Sequence, residues 1–238
     1  MGRAYEVRKA SIQKTGAARG KLYSMYAKEI YLSAKNGGTS MEANASLKRL
    51  VERAKKEQVP GDIIKRAIDK VNSGVDDSYQ EATYEMFGPA GSTLIVDCLT
   101  DNLNRSVSSL RAVVNKCHIK MGSIGSVSYN YDNLCIVGVK DLNEEDVMDK
   151  LIENDIDIQD IETEDGIVVI YGNPQDLFKI KDVISINFTN VQFEIDEISK
   201  LPKEKVTLSG EDLDTFKRVL DLLDEVEDVQ HVYHNVQL

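Results

Sequence analysis

Leu134-Cys135-Ile136-Val137-Gly138-Val139 opens the run that decides the fold. These six residues form a continuous apolar stretch of strand length. Asn143 to Glu153 follows as a helix, with Val147, Met148, Leu151 and Ile152 turned inward at helical spacing. Ile156 to Ile161 and Ile167 to Tyr171 then read as paired strands around Glu164-Asp165-Gly166. Asn173-Pro174 opens another helix to about Ile186, and Val191 to Ile195 is a last strand. The order β-α-β-β-α-β is that of a ferredoxin-like sandwich.

Upstream of this run, Thr83 to Phe87 is β-like, Gly88-Pro89-Ala90-Gly91 is a turn, and Thr93 to Leu99 is a mostly apolar strand. Thr100 or Asp101 is suited to cap a helix that buries Leu103, Val107, Leu110, Val114 and Cys117. Gly122 and Gly125 break the chain, and Val127, Tyr129 and Tyr131 alternate along a further strand, giving a β-α-β unit. Downstream, Ser209 is placed to cap a helix through Leu213, Phe216, Leu220 and Leu223, and Val229 to Tyr233 is a final strand. This last pair of elements is too small for its own core and is expected to complete the upstream unit, with a separate C-terminal hairpin as the alternative. The expected class is α+β in three domains. A basic helical domain spans 1–78, a discontinuous α+β domain spans 79–132 plus 203–238, and an acidic ferredoxin-like domain, 133–202, is inserted in it.

Charge separates the first of these from the rest. Residues 1–74 hold sixteen Lys and Arg against seven acids, a net of +9, whereas the remainder holds thirteen against thirty-three, a net of −20. A split of this size points to a polyanion-binding module joined to a body that is not one. Met1 to about Thr15 is a polar basic arm carrying Arg3, Arg8, Lys9 and Lys14. Ala17 to Asn36 is a helix with Leu22, Tyr26 and Ile30 on one face and Gly37-Gly38 as its stop. Lys14, Lys21, Lys28 and Lys35 recur every seventh residue, which aligns them in one stripe wherever the helix is formed. An ordinary solvated helix face is the plain alternative. Two more amphipathic helices follow, one burying Leu47, Leu50, Val51 and Ala54 and the other, after Val59-Pro60, burying Ile64, Ala67, Ile68 and Val71. Arg19, Arg49, Arg53, Lys55, Lys56, Lys65 and Arg66 complete the candidate phosphate contacts.

Residues 141–165 are the opposite, with twelve acids and the single Lys150. Such a surface repels phosphate, so it serves solubility or faces a basic protein. Enzyme motifs are missing. Gly16-Ala17-Ala18-Arg19-Gly20-Lys21-Leu22 has one residue too few for a P-loop and lacks the Ser or Thr that holds magnesium. His231 and His234 fall on opposite faces of a strand, and Asp155, Asp157 and Asp160 lack the glycine and closing Glu of a calcium loop. The sequence therefore predicts no enzyme, no cofactor and no metal. Cys98, Cys117 and Cys135 form no CxxC and read as buried thiols. With no apolar run of membrane-crossing length and no secretory h-region, the expectation is a monomer in the cytoplasm, away from membranes.

Several strings carry a resemblance. They include Lys21-Leu22-Tyr23-Ser24, Ala34-Lys35-Asn36-Gly37-Gly38, Ala54-Lys55-Lys56, Val59-Pro60, Arg66-Ala67-Ile68, Tyr84-Glu85-Met86-Phe87-Gly88-Pro89 and Leu99-Thr100-Asp101-Asn102-Leu103-Asn104-Arg105. In order and over nearly the whole chain they resemble the YebC family of bacterial proteins. The resemblance implies a helical N-terminal domain followed by two α+β domains, and a non-enzymatic, DNA-binding transcriptional regulator. The family's mitochondrial relatives are translational activators, so the resemblance also implies, as the alternative, a ribosome- or RNA-associated translation factor. The chain opens Met1-Gly2-Arg3-Ala4-Tyr5 and has no Trp, whereas the commoner branch carries His and Trp there, so it is similar to the smaller branch.

Overall fold

The computed structural model describes residues 16–73 and 78–238. In chain order its elements are α1 (Gly16–Gly37), α2 (Ala45–Lys56), α3 (Gly61–Asn72), β1 (Gln80–Phe87), β2 (Thr93–Thr100), α4 (Leu103–Lys116), β3 (Lys120–Met121), β4 (Tyr131–Lys140), α5 (Glu144–Glu153), β5 (Ile158–Glu164), β6 (Ile167–Gly172), α6 (Leu177–Asn187), β7 (Phe193–Pro202), α7 (Gly210–Glu225) and β8 (Val229–His234). They fall into two compact units. Among the described residues one holds 16–124 and 209–232, and the other 125–208 and 233–238. The class is α+β, as the sequence predicts, with an N-terminal helical region and two four-stranded sheets.

In the first unit the apolar stripes of three helices meet. Tyr26, Ile30 and Ala34 of α1 pack with Leu47, Val51 and Ala54 of α2 and with Ile64 and Ala67 of α3. Asn44 fixes the turn between α1 and α2. Its Oδ1 accepts from Leu47 N at 3.0 Å as the α2 cap, and its Nδ2 donates to Ser33 O and Gly38 O, both at 2.9 Å. A Cβ on Gly37 would lie 2.5 Å from that Nδ2, so the glycine lets the two segments close.

The sheet of this unit runs β3-β1-β2-β8. β1 and β2 form an antiparallel hairpin from Gln80 opposite Thr100 to Phe87 opposite Thr93. The third strand differs from the one read in the sequence. It is Lys120–Met121, paired with Met86 and Phe87 of β1, whereas Ser128–Asn130 is a 3-10 turn. Tyr131 belongs instead to β4, where it is buried and pairs with Pro202, and three alternating residues were too few to reveal that. The α4 cap also differs. Thr100 ends β2 and its Oγ1 accepts from Asn102 N at 3.0 Å, leaving Asn102 to cap the helix by accepting from Arg105 N at 3.1 Å. Ser209 occupies the cap position of α7 without a side-chain hydrogen bond to the helix.

The second unit has strand order β5-β6-β4-β7, with every neighbour antiparallel. Its first strand lies between its third and fourth, which is the ferredoxin-like arrangement read from the sequence. Cys135, Val137 and Val139 face a core shared with Val147, Leu151, Ile180 and Ile184, while Leu134 and Ile136 face a second cluster with Val169, Tyr171, Ile195 and Leu201. Burial on both faces explains why β4 is continuously apolar rather than alternating. Gly138 interrupts it where the pairing with β7 shifts register, and a Cβ there would lie 2.6 Å from Ile195 Cγ1.

Candidate nucleic-acid interface

The basic side chains named from the sequence separate into three groups. Arg3, Arg8, Lys9 and Lys14 lie outside the described residues. Arg19, Lys35, Lys55, Lys56, Lys65 and Arg66 are exposed on α1, α2 and α3. The rest are turned inward to different degrees. Arg49 and Arg53 are half-buried, and Arg53 hydrogen-bonds Tyr26, whose phenol burial pushes up to about 12.

Lys21 and Lys28 share one face of α1, as seven-residue spacing requires, but that face is not open. Lys21 Nζ donates to the Asp224 carbonyl at 2.7 Å and lies 3.4 Å from its carboxylate. Asp224 stands in the last turn of α7, where unpaired carbonyls attract a cation. Lys28 is only 8% exposed. Its Nζ is 3.3 Å from the Glu227 carbonyl, 3.6 Å from Asp228 Oδ1 and 3.8 Å from Glu227 Oε1. Lys21 and Lys28 of the stripe thus face the acidic corner between α7 and β8, and the buried Lys28 ammonium meets carboxylates in place of phosphates.

Asp228 is the centre of that corner. It is 3% exposed and accepts from Arg105 Nη2 at 2.8 Å, from Arg105 Nε at 3.2 Å and from Ser106 Oγ at 2.8 Å. Burial pushes its carboxyl up, but hydrogen bonds from Arg105, Ser106 and Thr100 outweigh it and hold the group below its ordinary value. Arg105 is shared with Asp101 at 2.7 Å. Glu29 of α1 and His231 of β8 form a further contact at 3.2 Å. Sequence reasoning marked Thr100, Asp101 and Arg105 as a motif but missed Asp228 and Glu29, and weighed His231 only as a metal ligand, because nothing local announces partners so far apart in the chain.

Beside this corner a cleft of about 410 Å³ opens, lined by Tyr23, Ser24, Ala27, Lys28 and Tyr31 of α1, by Ile63, Arg66, Ala67 and Lys70 of α3, and by Tyr79 and Glu227. Tyr31 and Tyr79 meet edge to face with centroids 5.8 Å apart and planes at 76°. Lys70 Nζ stands 5.6 Å from the Tyr31 centroid and Lys28 Nζ 6.0 Å from that of Tyr79.

In the second unit, Glu145, Asp146, Asp149, Glu153, Asp155, Asp157, Asp160 and Asp165 are exposed, so the acidic segment forms an acidic surface. Glu144, Glu145 and Asp146 occupy the first turn of α5, where the helix dipole favours them. The three cysteines are buried free thiols; burial pushes Cys98 up to about 12 and Cys135 to about 11, and raises Cys117 as well. Among the described residues no group of three His, Cys, Asp or Glu is placed to hold a metal ion, and no helix is long and apolar enough to cross a membrane.

Comparison with known proteins supplies a family. A model described as the TACO1/YebC protein N-terminal domain matches residues 3–74, and one described as the TACO1/YebC second and third domain matches residues 79–236. A protein of Vibrio parahaemolyticus named as a probable transcriptional regulatory protein is 43% identical over 238 residues, covering 100% of both chains. One of the same description from Marinobacter nauticus is 43% identical, covering 100% of this chain and 99% of its own. The crystal structure of a conserved hypothetical protein from Aquifex aeolicus is 31% identical, with a TM-score of 0.74 over 94% of this chain and 92% of that one.

Proposed function

Because this chain belongs to the TACO1/YebC family, we propose that it is a non-enzymatic regulator of gene expression that grips the phosphates of a nucleic acid with its helical region, residues 1–78. Its relatives are named as probable transcriptional regulatory proteins, which supports DNA as the target and transcription as the process. The observation that carries the proposal is the exposure of Arg19, Lys35, Lys55, Lys56, Lys65 and Arg66 in that region, opposite in sign to the exposed carboxylates of 141–165. Lys21 and Lys28 are left out of the phosphate contacts and support the region from behind. The acidic surface keeps its own side off the nucleic acid and suits a basic protein. The protein works as a cytoplasmic monomer.

Binding of the full chain to duplex and single-stranded oligonucleotides across a salt series tests this. Each phosphate neutralised steepens the dependence by about 0.9 log units per log of salt on duplex DNA and about 0.7 on single strands. Lys55→Glu with Lys56→Glu is expected to flatten that slope. An unchanged slope and affinity contradict the proposal. The same cations serve an RNA- or ribosome-associated translation factor, and a preference for structured RNA over duplex DNA in this assay selects that reading instead.

A further inference from the structure

The solvent side of α4 lies outside the helical region to which the phosphate grip is assigned. We propose that it is a second nucleic-acid contact, in which Arg111 and Lys116 take backbone phosphates and Asn104, Ser108 and Asn115 hydrogen-bond beside them. This goes beyond the grip of residues 1–78 and rests on the same reading of the partner as a nucleic acid.

The segment is set apart by what it lacks. Residues 102–131 hold Arg105, Arg111, Lys116, Lys120 and His118 but no Asp or Glu, the longest acid-free stretch of the chain. A stretch of this length holds about five acids at the chain's average, and the rest of the α+β body is more acidic than that. Helical spacing sets Asn104, Ser108, Arg111 and Asn115 along one side of α4, with Lys116 next around the helix, and all five are exposed. At 1.5 Å per residue they extend over about 18 Å, enough to meet two or three phosphates.

These side chains are also unengaged. In the same body Lys150, Lys179 and Lys203 each hold a carboxylate, at 2.7, 2.8 and 3.5 Å. Among the described residues no salt bridge or side-chain hydrogen bond holds Asn104, Ser108, Arg111, Asn115 or Lys116. Asp101, the acid just before α4, is taken by Arg105 at 2.7 Å. Burial raises the Cys117 thiol, and the charges that act against it, Arg218 of α7 and Lys116, are both positive. The face ends at α7, where Asp214 and Asp221 stand a turn to either side of Arg218. Arg, Lys, Asn and Ser are side chains that reach phosphate oxygens, whereas a protein partner asks for an apolar centre. Between Asn104 and Lys116 the only exposed apolar residue is Ala112, which decides for the nucleic acid.

The test is binding of the full-length protein to a labelled duplex and to a single strand of the same sequence across a salt series. Arg111→Gln with Lys116→Gln keeps side-chain bulk on exposed positions, and its circular dichroism and melting are matched to the parent first. The pair is expected to weaken binding about tenfold at 0.1 M salt and to flatten the slope by roughly 1.8 on duplex or 1.4 on a single strand. Lys140→Gln with Lys179→Gln changes the net charge equally on exposed residues outside the segment and is expected to leave affinity and slope alone. Equal effects of the two pairs overturn the proposal, since net charge alone would then explain them. So does an unchanged slope in the α4 pair, or a parent that binds neither strand form. Sedimentation velocity covers the remaining acidic partner, a second copy of the chain: a parent dimer that the α4 pair dissolves while nucleic-acid binding holds also overturns it. Lys55→Glu with Lys56→Glu separates the two contacts. If that pair changes nothing while the α4 pair flattens the slope, the grip of residues 1–78 fails and the α4 contact stands; the reverse result removes the α4 contact and keeps the grip.

Discussion

Asp228, almost fully buried, accepts a 2.8 Å hydrogen bond from Arg105, and Lys28 Nζ lies 3.6 Å from the same carboxylate. One side chain between α7 and β8 thereby ties α1 to the start of α4. The partners differ in what they lose when the link is cut. Arg105 is about half exposed and keeps Asp101, whereas Lys28 and Ser106 are buried. Asp228→Ala is therefore expected to cost about 3 kcal/mol, since it takes the buried carboxylate from Lys28, which keeps only Glu227, and from the buried Ser106 hydroxyl, which keeps only the Asn102 carbonyl. Arg105→Ala is expected to cost less, about 1–2 kcal/mol. Urea titration of both variants checks the order, and equal costs contradict it.

Lys28 and Lys55 carry the same charge and predict opposite phenotypes. Lys28→Met is expected to lower stability while leaving the salt slope of nucleic-acid binding unchanged. Lys55→Glu with Lys56→Glu is expected to cost about 1–2 kcal/mol, because both stand in the last turn of α2 where the helix dipole favours cations, and to flatten the slope by roughly 0.9 for each duplex phosphate lost. Charge reversal along the Lys21, Lys28 and Lys35 stripe confuses the two, because it breaks the buried corner as well as any surface contact.

His234 is pulled down to about 4 by burial, from an ordinary 6.5. Above about pH 6.5 the ring is neutral in the folded and the unfolded chain, and its full contribution to stability is present. As the pH falls toward 4, the unfolded chain takes up a proton that the folded chain refuses, and stability drops by roughly 2–3 kcal/mol by about pH 4.5. His234→Asn is expected to remove that part of the acid sensitivity, read as a flatter plot of unfolding free energy between pH 7 and 4.5. An unchanged plot would show that the ring titrates normally.

Gly138→Ala places a methyl group 2.6 Å from Ile195 Cγ1, in a strand buried on both faces. The expected loss is about 1–3 kcal/mol of stability, with Ile195→Ala, which removes Cγ1, making the double variant less costly than the two losses added. Thermal unfolding of the single and double variants tests the clash, and additivity of the two losses contradicts it.

How far the sequence could be read depended on whether a pattern was local. The elements from Leu134 to Ile195 were legible in kind and order because each carries its own period and each turn its own residues, but Ile152, read as inward, is exposed, and the last strand, read as Val191 to Ile195, runs Phe193–Pro202. The strand placed at Val127 to Tyr131 was not, because Tyr131 takes its alternation from β4 and the two residues before it lie in a turn. Asn102 lost its cap role to Thr100 and Asp101 in the reading, since three adjacent residues all have capping side chains and only the end of β2 decides between them. Periodicity placed Lys21 and Lys28 on one face of α1 correctly. It could not say what that face meets, because Asp224 is 203 residues from Lys21 in the chain. The tyrosine cleft was illegible for the same reason, being made where α1, α3 and β1 converge.

The most direct measurement is ultraviolet crosslinking of the full-length protein to nucleic acid in growing cells, followed by mass spectrometry of the peptides that carry nucleotides and sequencing of the strands attached. The account predicts crosslinks within residues 16–73, on peptides bearing Lys55, Lys56, Lys65 or Arg66, and none within 141–165. Crosslinks concentrated in the acidic segment, or a protein that carries no nucleic acid at all, would contradict it.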